Sequence, residues 1–386
     1  MATQEYDYTF RLSFHAEWFD PRAEQKKKFL LNFYPCDSTV ELKDLDMNRM
    51  FLRRAAYDGL RLKDVFVGNT ITIYGRQIKL TDYADCRSKN FVGRWKEHTF
   101  AMIKPSGMSN FGDIIDDIYN HNFTIERMRM AHLSRKETLD LYEENKGDAF
   151  LPFVIEHVSS APIVAMELVG ENALDRWGIL MGPKDPVEAR KTEPTTFRAR
   201  FGIDLQSNAV HGARSNEAAI RSACFFFPQG VGKKPPPSTA RINNSTCCII
   251  KPHAIDERKL GKIIGYIKQG DFNITALQMF YLDSANAAEF LEVYKGVVAD
   301  FHALLHSFLD GPCVAMEISG KDDSIDVHQA FRVFCGPADS DIARHIRPKT
   351  IRGMFGVDKY RNAVHCTDLK EDTALELEYF FKILDD

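Results

Sequence analysis

The feature that most constrains the fold is an internal repeat, because two similar segments of a chain are expected to fold in the same way. The segment AMIKPSG from Ala101 returns as CIIKPHA from Cys248. Further along, IVAMEL returns as CVAMEI, TFRARFGID as TIRGMFGVD and NAVHG as NAVHC, in the same order. From Gly182, which corresponds to Gly336, to Phe227 the shift is a constant 154 residues. The chain therefore contains two tandem copies of one domain.

The repeat sets the predicted domain boundaries. We place copy A at residues 95–228 and copy B at residues 245–386. Residues 229–244 are rich in Pro, Gly, Ser and Asn, a composition typical of a linker. Residues 1–91 match neither copy, and their alternating apolar and polar residues, broken by turns such as Gly68-Asn69, predict a small β-rich domain.

Within each copy the pattern predicts strands that alternate with helices. An apolar strand is followed by a helix in which isoleucines recur at helical spacing, as at Ile114, Ile115 and Ile118. IVAMEL and CVAMEI are short apolar runs, typical of buried central strands. This order favours an α+β class, with two ferredoxin-like α/β sandwich domains in tandem.

Composition excludes several classes of protein. The formal net charge of −4 argues against a surface that coats nucleic acid. No apolar run approaches the ~18 residues of a membrane helix, and the charges of Glu5, Asp7 and Arg11 stand where a secretory signal needs apolar residues. The eight cysteines form no Cys-x-x-Cys pair, which favours reduced thiols. We expect a cytoplasmic protein without a nucleic-acid or membrane partner.

Two histidines are candidates for chemistry. Of the twelve in the chain, only His211 and His365 occupy equivalent positions in the copies. A histidine after a strand is commonly structural, but a neutral imidazole can attack phosphorus if an acceptor holds its other nitrogen. In copy B, Glu376 is the candidate acceptor, with Thr367 offering a hydroxyl nearby; the alternative is that Glu376 lies on a solvent-exposed helix face.

Basic residues accompany each histidine. Phosphoryl transfer needs positioned cations around the phosphate charge. Lys104 and Lys251 precede prolines at strand ends, and Arg198 and Arg352 offer planar groups that can bind phosphate through two nitrogens. Each could be a surface charge, but their recurrence beside a histidine predicts a phosphate site.

The histidine motifs identify a family. NAVHG and NAVHC resemble the N-x-x-H-G-S/T-D signature of nucleoside diphosphate kinases, and the I-K-P, V-A-M-E and G-P blocks of both copies agree with it. A β domain followed by two such modules is similar to a ciliary subfamily whose N-terminal part is a DM10 domain with a PH-like fold.

The resemblance implies that a nucleoside triphosphate phosphorylates the histidine and that a nucleoside diphosphate then takes the phosphate. His211 and His365 would be the carriers, Glu376 would orient His365, and Mg²⁺ would be bound through the nucleotide phosphates, with no metal ligands from the protein. The residues implied to bind nucleotide are Lys104, Tyr142, Phe150, Arg198 and Asn208 in copy A, and Lys251, Tyr294, Arg332, Arg352, Asn362 and Thr367 in copy B.

The two copies depart from the family pattern to different extents. In copy A, Gly178, Lys184, Ala213 and Ser222 stand where the family has arginine, threonine, serine and the orienting glutamate. In copy B, Ala338 replaces the threonine, and the segment after Tyr294 is two residues short. We therefore predict that copy B is the better equipped for catalysis.

Two functional hypotheses follow from the resemblance. The first is a microtubule-associated phosphotransferase of the ciliary axoneme and centrosome, with ATP or GTP and nucleoside diphosphates as substrates. The second is a catalytically silent scaffold of axonemal microtubules or of the microtubule-nucleating complex. In either case tubulin, in microtubules or in the gamma-tubulin complex, is the implied partner, and the cytoplasm and cytoskeleton are the implied location.

Overall fold

The computed structural model describes residues 10–20, 23–57, 60, 62–95, 97–228, 234–322 and 324–385. The chain divides into two compact units, residues 1–97 and residues 98–386. Residues 1–9 of the predicted β domain and residues 229–233 of the predicted linker lie outside the described residues. In the described ranges, no helix combines the length and the apolar character that a membrane span requires.

The first unit is a six-stranded antiparallel sheet followed by a helix. Every second side chain of a strand faces the same side, and Phe14, Phe29 and Leu31 meet in its core. The strand order is β4-β3-β2-β1-β6-β5, and the elements are β1 (Leu12–Asp20), β2 (Gln25–Tyr34), β3 (Thr39–Asp44), β4 (Arg49–Ala56), β5 (Thr70–Ile73), β6 (Arg76–Tyr83) and α1 (Cys86–Trp95). This confirms the predicted β-rich region.

Copy A has four strands and seven α-helices. They are β7 (Glu97–Ile103), α2 (Phe111–Asn120), β8 (Thr124–Ala131), α3 (Arg135–Leu141), α4 (Leu151–Val158), β9 (Ile163–Gly170), α5 (Ala173–Met181), α6 (Pro186–Thr192), α7 (Phe197–Phe201), β10 (Val210–Gly212) and α8 (Asn216–Phe226). The predicted isoleucine helix is α2, and IVAMEL forms β9, in which every residue is buried.

Copy B repeats this plan, with one further short helix at its start. Its elements are β11 (Ser245–Ile250), α9 (Pro252–Asp256), α10 (Leu260–Gln269), β12 (Phe272–Phe280), α11 (Ser284–Phe290), α12 (Phe301–Leu309), β13 (Cys313–Gly320), α13 (Val327–Cys335), α14 (Ser340–Ile346), α15 (Ile351–Phe355), β14 (Val364–Cys366) and α16 (Thr373–Glu378). A π-helical turn, Tyr379–Ile383, extends α16.

The two copies form one sheet of eight strands, in the order β10-β7-β9-β8-β12-β13-β11-β14. Within each copy the order is fourth, first, third, second, which is the ferredoxin-like arrangement predicted from the sequence. The two halves meet where β8 and β12 pair antiparallel, at Arg129 and Gln278. Each histidine strand, β10 or β14, is therefore an outer edge of the joint sheet.

A buried ion pair and a common core hold the copies together. Arg129 of β8 donates two hydrogen bonds of 2.7 Å to the Asp385 carboxylate, and the exposed fractions of the two side chains are 4% and 13%. Ile114, Ile263 and Phe331 belong to one hydrophobic cluster that spans both copies. The two copies therefore share one buried interface within the chain.

Helices α2 and α10 cross at glycines. A Cβ on Gly261 would lie 2.5 Å from the Gly112 carbonyl oxygen, and a Cβ on Gly112 would lie 2.7 Å from the Gly261 carbonyl oxygen. These glycines are equivalent in the repeat, so the contact is reciprocal. A larger residue at either position would force the helices apart.

The described part of the predicted linker lies against copy B. The backbone N–H groups of Arg241 and Ile242 donate to the Glu317 carboxylate at 2.9 and 2.6 Å. The hydroxyls of Ser245 and Thr275 donate to the same carboxylate, and Glu317 is fully buried. A buried carboxylate with four donors is a fixed anchor, so this end of the linker is held in place.

We expect Gly261→Ala to lower the free energy of unfolding by about 1–3 kcal/mol, because the added methyl group collides with backbone of the facing helix. Gly265→Ala is the matched control on the same helix, since its Cβ meets no atom within 4 Å. That change should be neutral or stabilising by about 0.5–1 kcal/mol. Urea unfolding compares the variants, and equal stability of the two would contradict the proposed helix contact.

Candidate active site

A left-handed residue precedes each histidine strand. Ala209 has φ of 64° and Ala363 has φ of 68°, a conformation that costs an alanine roughly 1–2 kcal/mol. The carbonyl groups of these alanines accept hydrogen bonds from the backbone N–H groups of Lys104 and Lys251, at 2.8 and 2.9 Å. The same turn in both copies thus places the candidate lysine next to the histidine strand.

His365 is held by a carboxylate. Its Nε2 lies 3.1 Å from both Glu376 oxygens, and the exposed fraction of the Glu376 side chain is 12%. Thr367 donates a 2.7 Å hydrogen bond from its hydroxyl to Glu376, and that hydroxyl accepts from the backbone N–H of Cys247 at 3.3 Å. Glu376 thus lies against the imidazole and not on a solvent-exposed helix face.

Aromatic rings fix the plane of the imidazole. The Phe290 and Tyr294 ring centroids lie 5.3 and 6.2 Å from that of His365, both edge to face. Because Nε2 faces Glu376, the tautomer that donates from Nε2 leaves Nδ1 with its lone pair free. Nδ1 makes no hydrogen bond to the described residues. The arrangement therefore leaves Nδ1 as the ring nitrogen that can contact a ligand.

Two buried cations face the same region of copy B. Lys251 donates to the Tyr360 carbonyl at 2.8 Å, and burial, with the charge of Arg352, lowers its pKa to about 7. Arg352 donates to the Gly336 and Val364 carbonyls at 2.8 and 3.2 Å. Val364 precedes His365, so Arg352 is fixed beside the histidine strand.

Asp368 connects two residues at the edge of the site and was not predicted from the sequence. It accepts a 2.7 Å hydrogen bond from the Tyr294 hydroxyl and forms a 3.2 Å ion pair with Arg332. Burial works against its charge, but the Tyr294 hydrogen bond and the charges of His365 and Arg332 lower its pKa. The signal was available, because Asp368 fills the final position of the family signature.

Asn362 keeps a buried acceptor. Its amide nitrogen donates to the Ala338 carbonyl at 2.8 Å, while its Oδ1 is buried without a donor among the described residues. Asn208, the equivalent residue of copy A, differs because its Oδ1 accepts from Lys104 at 2.8 Å. A buried acceptor without a donor is costly, so Asn362 is suited to a ligand hydroxyl.

In copy A the predicted residues surround one cavity of about 1070 Å³. Its walls include His211 and every nucleotide-binding candidate of this copy, namely Lys104, Tyr142, Phe150, Arg198 and Asn208. Tyr142 packs beside the histidine, with ring centroids 4.7 Å apart, and Phe150 is 48% exposed. The structure thus brings all six together, while their roles stay predictions.

His211 lacks the acceptor that His365 has. Ser222 occupies the position of Glu376, and the imidazole makes no hydrogen bond to the described residues. Burial, followed by the charges of Lys104 and Arg198, lowers its pKa well below the usual value. Gly178, Lys184 and Ala213, the other departures from the family, also line the cavity.

Burial lowers the pKa values of the two inner cations of copy A. Burial and the charge of Arg198 lower the pKa of Lys104 to about 7, and burial lowers that of Arg198 to about 10. Arg214, also missed from the sequence, lines the cavity at the position equivalent to Asp368. Alignment of the two copies would have shown that Arg214 stands where copy B has the acid Asp368.

The described residues contain no group of three or more His, Cys, Asp or Glu side chains that could hold a metal ion. They include eight cysteines without a disulfide, five of them buried.

Both ferredoxin-like modules place a histidine beside a lysine and an arginine, and in copy B a carboxylate also holds the histidine. The model of the family "Nucleoside diphosphate kinase" matches residues 97–231 and 244–385. The chain belongs to the nucleoside diphosphate kinase family.

Two relatives are similar to almost the whole chain, and a third is similar to about a third of it. Nucleoside diphosphate kinase homolog 7 of Rattus norvegicus and that of Mus musculus are each 45% identical to the chain over 375 residues, covering 97% of the chain and 94% of the relative. Nucleoside diphosphate kinase homolog 5 of Danio rerio is 38% identical over 135 residues, covering 35% of the chain and 62% of the relative. The similarity to the homolog 7 proteins includes the N-terminal unit.

We expect Ser222→Glu to make His211 titrate. In the unchanged protein the His211 ring signals should stay constant from about pH 5 to about pH 8, where an ordinary histidine titrates, because its imidazole is already neutral. A carboxylate beside the ring favours the imidazolium and should raise the pKa.

NMR of the ring protons measures the effect. The control is Ser215→Glu, at the N-cap of α8, which is not among the cavity-lining residues. An unchanged His211 signal in Ser222→Glu would show that this position does not face the imidazole.

Proposed function

We propose that the chain transfers the terminal phosphate of a nucleoside triphosphate to a nucleoside diphosphate through a phosphohistidine on His365. The observation that carries the proposal is the hydrogen bonding of His365 Nε2 to Glu376, backed by Thr367. Copy A keeps His211 without this support, so copy B is the better equipped module. Autophosphorylation of His365 is the first half of the same reaction.

Binding relies on buried groups of copy B. Lys251 and Arg352 neutralise charge on the phosphates, and the Asn362 oxygen accepts a hydrogen bond from a sugar hydroxyl. Asp368 links Arg332 with Tyr294, whose ring packs edge to face against His365. These groups are fixed before the ligand arrives, which lowers the cost of organising the transition state.

In the transfer step, Nδ1 of His365 donates its lone pair to the terminal phosphorus. The bond between that phosphorus and the bridging oxygen breaks, and the nucleoside diphosphate leaves with the bonding electrons. Glu376 accepts the hydrogen bond from Nε2–H and stabilises the positive charge that develops on the ring. In the return step an oxygen of a second nucleoside diphosphate attacks the phosphorus, and the P–N bond breaks.

Magnesium, when bound to the phosphates, would neutralise part of their charge. The family implies this ion, and the described residues of the chain add no cluster of ligands for it. Lys251 and Arg352 would then share the phosphate charge with the ion.

We expect His365→Ala to abolish labelling of copy B by ATP labelled in its terminal phosphate. Glu376→Gln should reduce the rate of labelling by on the order of 10², because the ring loses its charged acceptor. Rapid-quench measurement of alkali-stable, acid-labile phosphate gives both rates. His211→Ala should retain most of the label.

Glu378→Gln is the matched control for Glu376→Gln. It lies on the same helix, its side chain is 42% exposed, and it pairs with Lys382. Equal rates for Glu376→Gln and Glu378→Gln would show that Glu376 does not support the reaction. Undiminished labelling of His365→Ala, with the phosphate on another residue, would exclude His365 as the carrier.

We further propose that the protein acts on microtubules of the ciliary axoneme and the centrosome, with tubulin or the gamma-tubulin complex as its partner. The support is its similarity to the homolog 7 proteins over nearly their whole length, together with a copy A that keeps its fold after losing family contacts. If copy A binds a partner, selection is expected to preserve its fold even where the catalytic contacts are lost. A silent scaffold is the alternative form of this role.

Cosedimentation with assembled microtubules tests this role. We expect the full chain to pellet with microtubules equally well with or without His365→Ala, because binding does not require transfer. Phosphate labelling of His365 in the presence of microtubules then distinguishes an active enzyme from a catalytically silent scaffold. A chain that stays in the supernatant at every tubulin concentration would contradict the microtubule role.

A further inference from the structure

The two sites differ strongly in charge at equivalent positions. Copy A has four cations and no acid at six aligned positions, whereas copy B has three cations and two acids. The aligned pairs are Lys104 and Lys251, Gly178 and Arg332, Lys184 and Ala338, Arg198 and Arg352, Arg214 and Asp368, and Ser222 and Glu376. Over these six positions copy A is therefore three charges more positive than copy B. Four acids, Glu144, Asp148, Asp175 and Glu193, also line the cavity of copy A.

The four cations of copy A act on the same place. All of them line the cavity, and all of them lower the pKa of His211. Lys104 is buried and Arg198 is partly buried, whereas Lys184 and Arg214 are exposed at the mouth. The positive charge thus extends from the histidine out to the rim.

The rim cation Lys184 has a nearby negative charge, Asp148 in the cavity wall, but forms no direct ion pair with it. Neither Lys184 nor Arg214 forms a salt bridge with the residues that the structure describes. By contrast, Arg221 at the same cavity pairs with Glu144, and Arg332 of copy B pairs with Asp368. Cations that converge on a partly desolvated cavity without a direct ion pair can bind a polyanion.

The cavity also has the size and the lining for a nucleotide. Its volume of about 1070 Å³ corresponds to the upper range of small-molecule sites. Phe150, half-exposed in the wall, offers an aromatic face to a base. A ligand with a planar ring at one end and several phosphates at the other matches this distribution.

We propose that copy A is a retention site for nucleoside triphosphates, in which Lys184 and Arg214 select the ligand by its number of phosphates. The proposal rests on the proposed nucleotide binding by these modules. Lys104 and Arg198 bind the phosphates nearest His211, and the rim pair binds those that reach the mouth. Each further phosphate adds negative charge, so the affinity rises from diphosphate to triphosphate.

Retention of the triphosphate without transfer follows from the same differences between the two copies. Ser222 cannot accept a charge-assisted hydrogen bond from the His211 ring as Glu376 does for His365. The excess positive charge stabilises the bound triphosphate in its ground state, which does not lower the barrier to transfer. Copy A therefore holds a ligand of the kind that copy B consumes.

Tryptophan fluorescence can report on copy A, because Trp177 lies on α5 next to the cavity residue Gly178 and copy B contains no tryptophan. The probes are adenylyl imidodiphosphate, a triphosphate analogue that cannot transfer its terminal phosphate, and ADP. For the unchanged full chain we expect the analogue to bind copy A at least about tenfold more tightly than ADP.

Arg214→Asp and Lys184→Ala introduce the residues that copy B carries at these positions, so the fold accommodates them. Each should weaken binding of the analogue by about tenfold to a hundredfold, and should weaken ADP binding less. Arg214→Gln, which removes charge without adding an acid, should have a smaller effect. Thermal unfolding verifies that the variants are folded.

Lys136→Asp is the matched control, because it changes the charge as much as Arg214→Asp does, on an exposed residue of the first turn of α3 that is not among the cavity-lining residues. Its affinities should equal those of the unchanged chain. Folded Arg214→Asp and Lys184→Ala variants with unchanged affinities would overturn the retention proposal. Labelling of His365 in the unchanged chain, measured separately, distinguishes that outcome from failure of the proposed transfer reaction.

Discussion

The close crossing of α2 and α10 is the contact on which the large unit depends. Gly112 and Gly261 let two helix backbones approach within a distance that no side chain permits. Because each helix covers its own half of the sheet, this approach allows β8 and β12 to pair and the two half-sheets to become one. The Arg129–Asp385 pair and the common hydrophobic cluster then close the interface.

This architecture places the two histidine strands at opposite edges of the joint sheet, so the sites are separate in space although they come from one repeat. The same backbone turn at Ala209 and Ala363 presents both histidines. What differs is the set of side chains around them. In copy B a carboxylate orients the imidazole of the histidine. In copy A several cations surround an imidazole that has no such acceptor.

Local pattern predicted the repeated elements well, because the isoleucine spacing of α2 and the apolar run of β9 are decided by burial within one copy. The joining of the copies was beyond such reasoning. The two half-sheets pair only at Arg129 and Gln278, and one residue pair produces no repeating pattern in the sequence. The contact of the linker with Glu317 joins residues far apart in the chain, so no local pattern indicates it. At the site, the His365 and Glu376 contact was expected, but Asp368 and Arg214 were missed, since their meaning lies in comparing one copy with the other.

The central claim is that Nδ1 of His365 carries the phosphate while Nε2 is held by Glu376. Phosphorus-31 NMR of the chain after brief treatment with ATP and magnesium, combined with mass spectrometry of its peptides, tests this claim most directly. We predict one phosphate on Nδ1 in the peptide that contains His365, with far less on the peptide that contains His211. Phosphate on Nε2 of His365, or predominantly on His211, would contradict it.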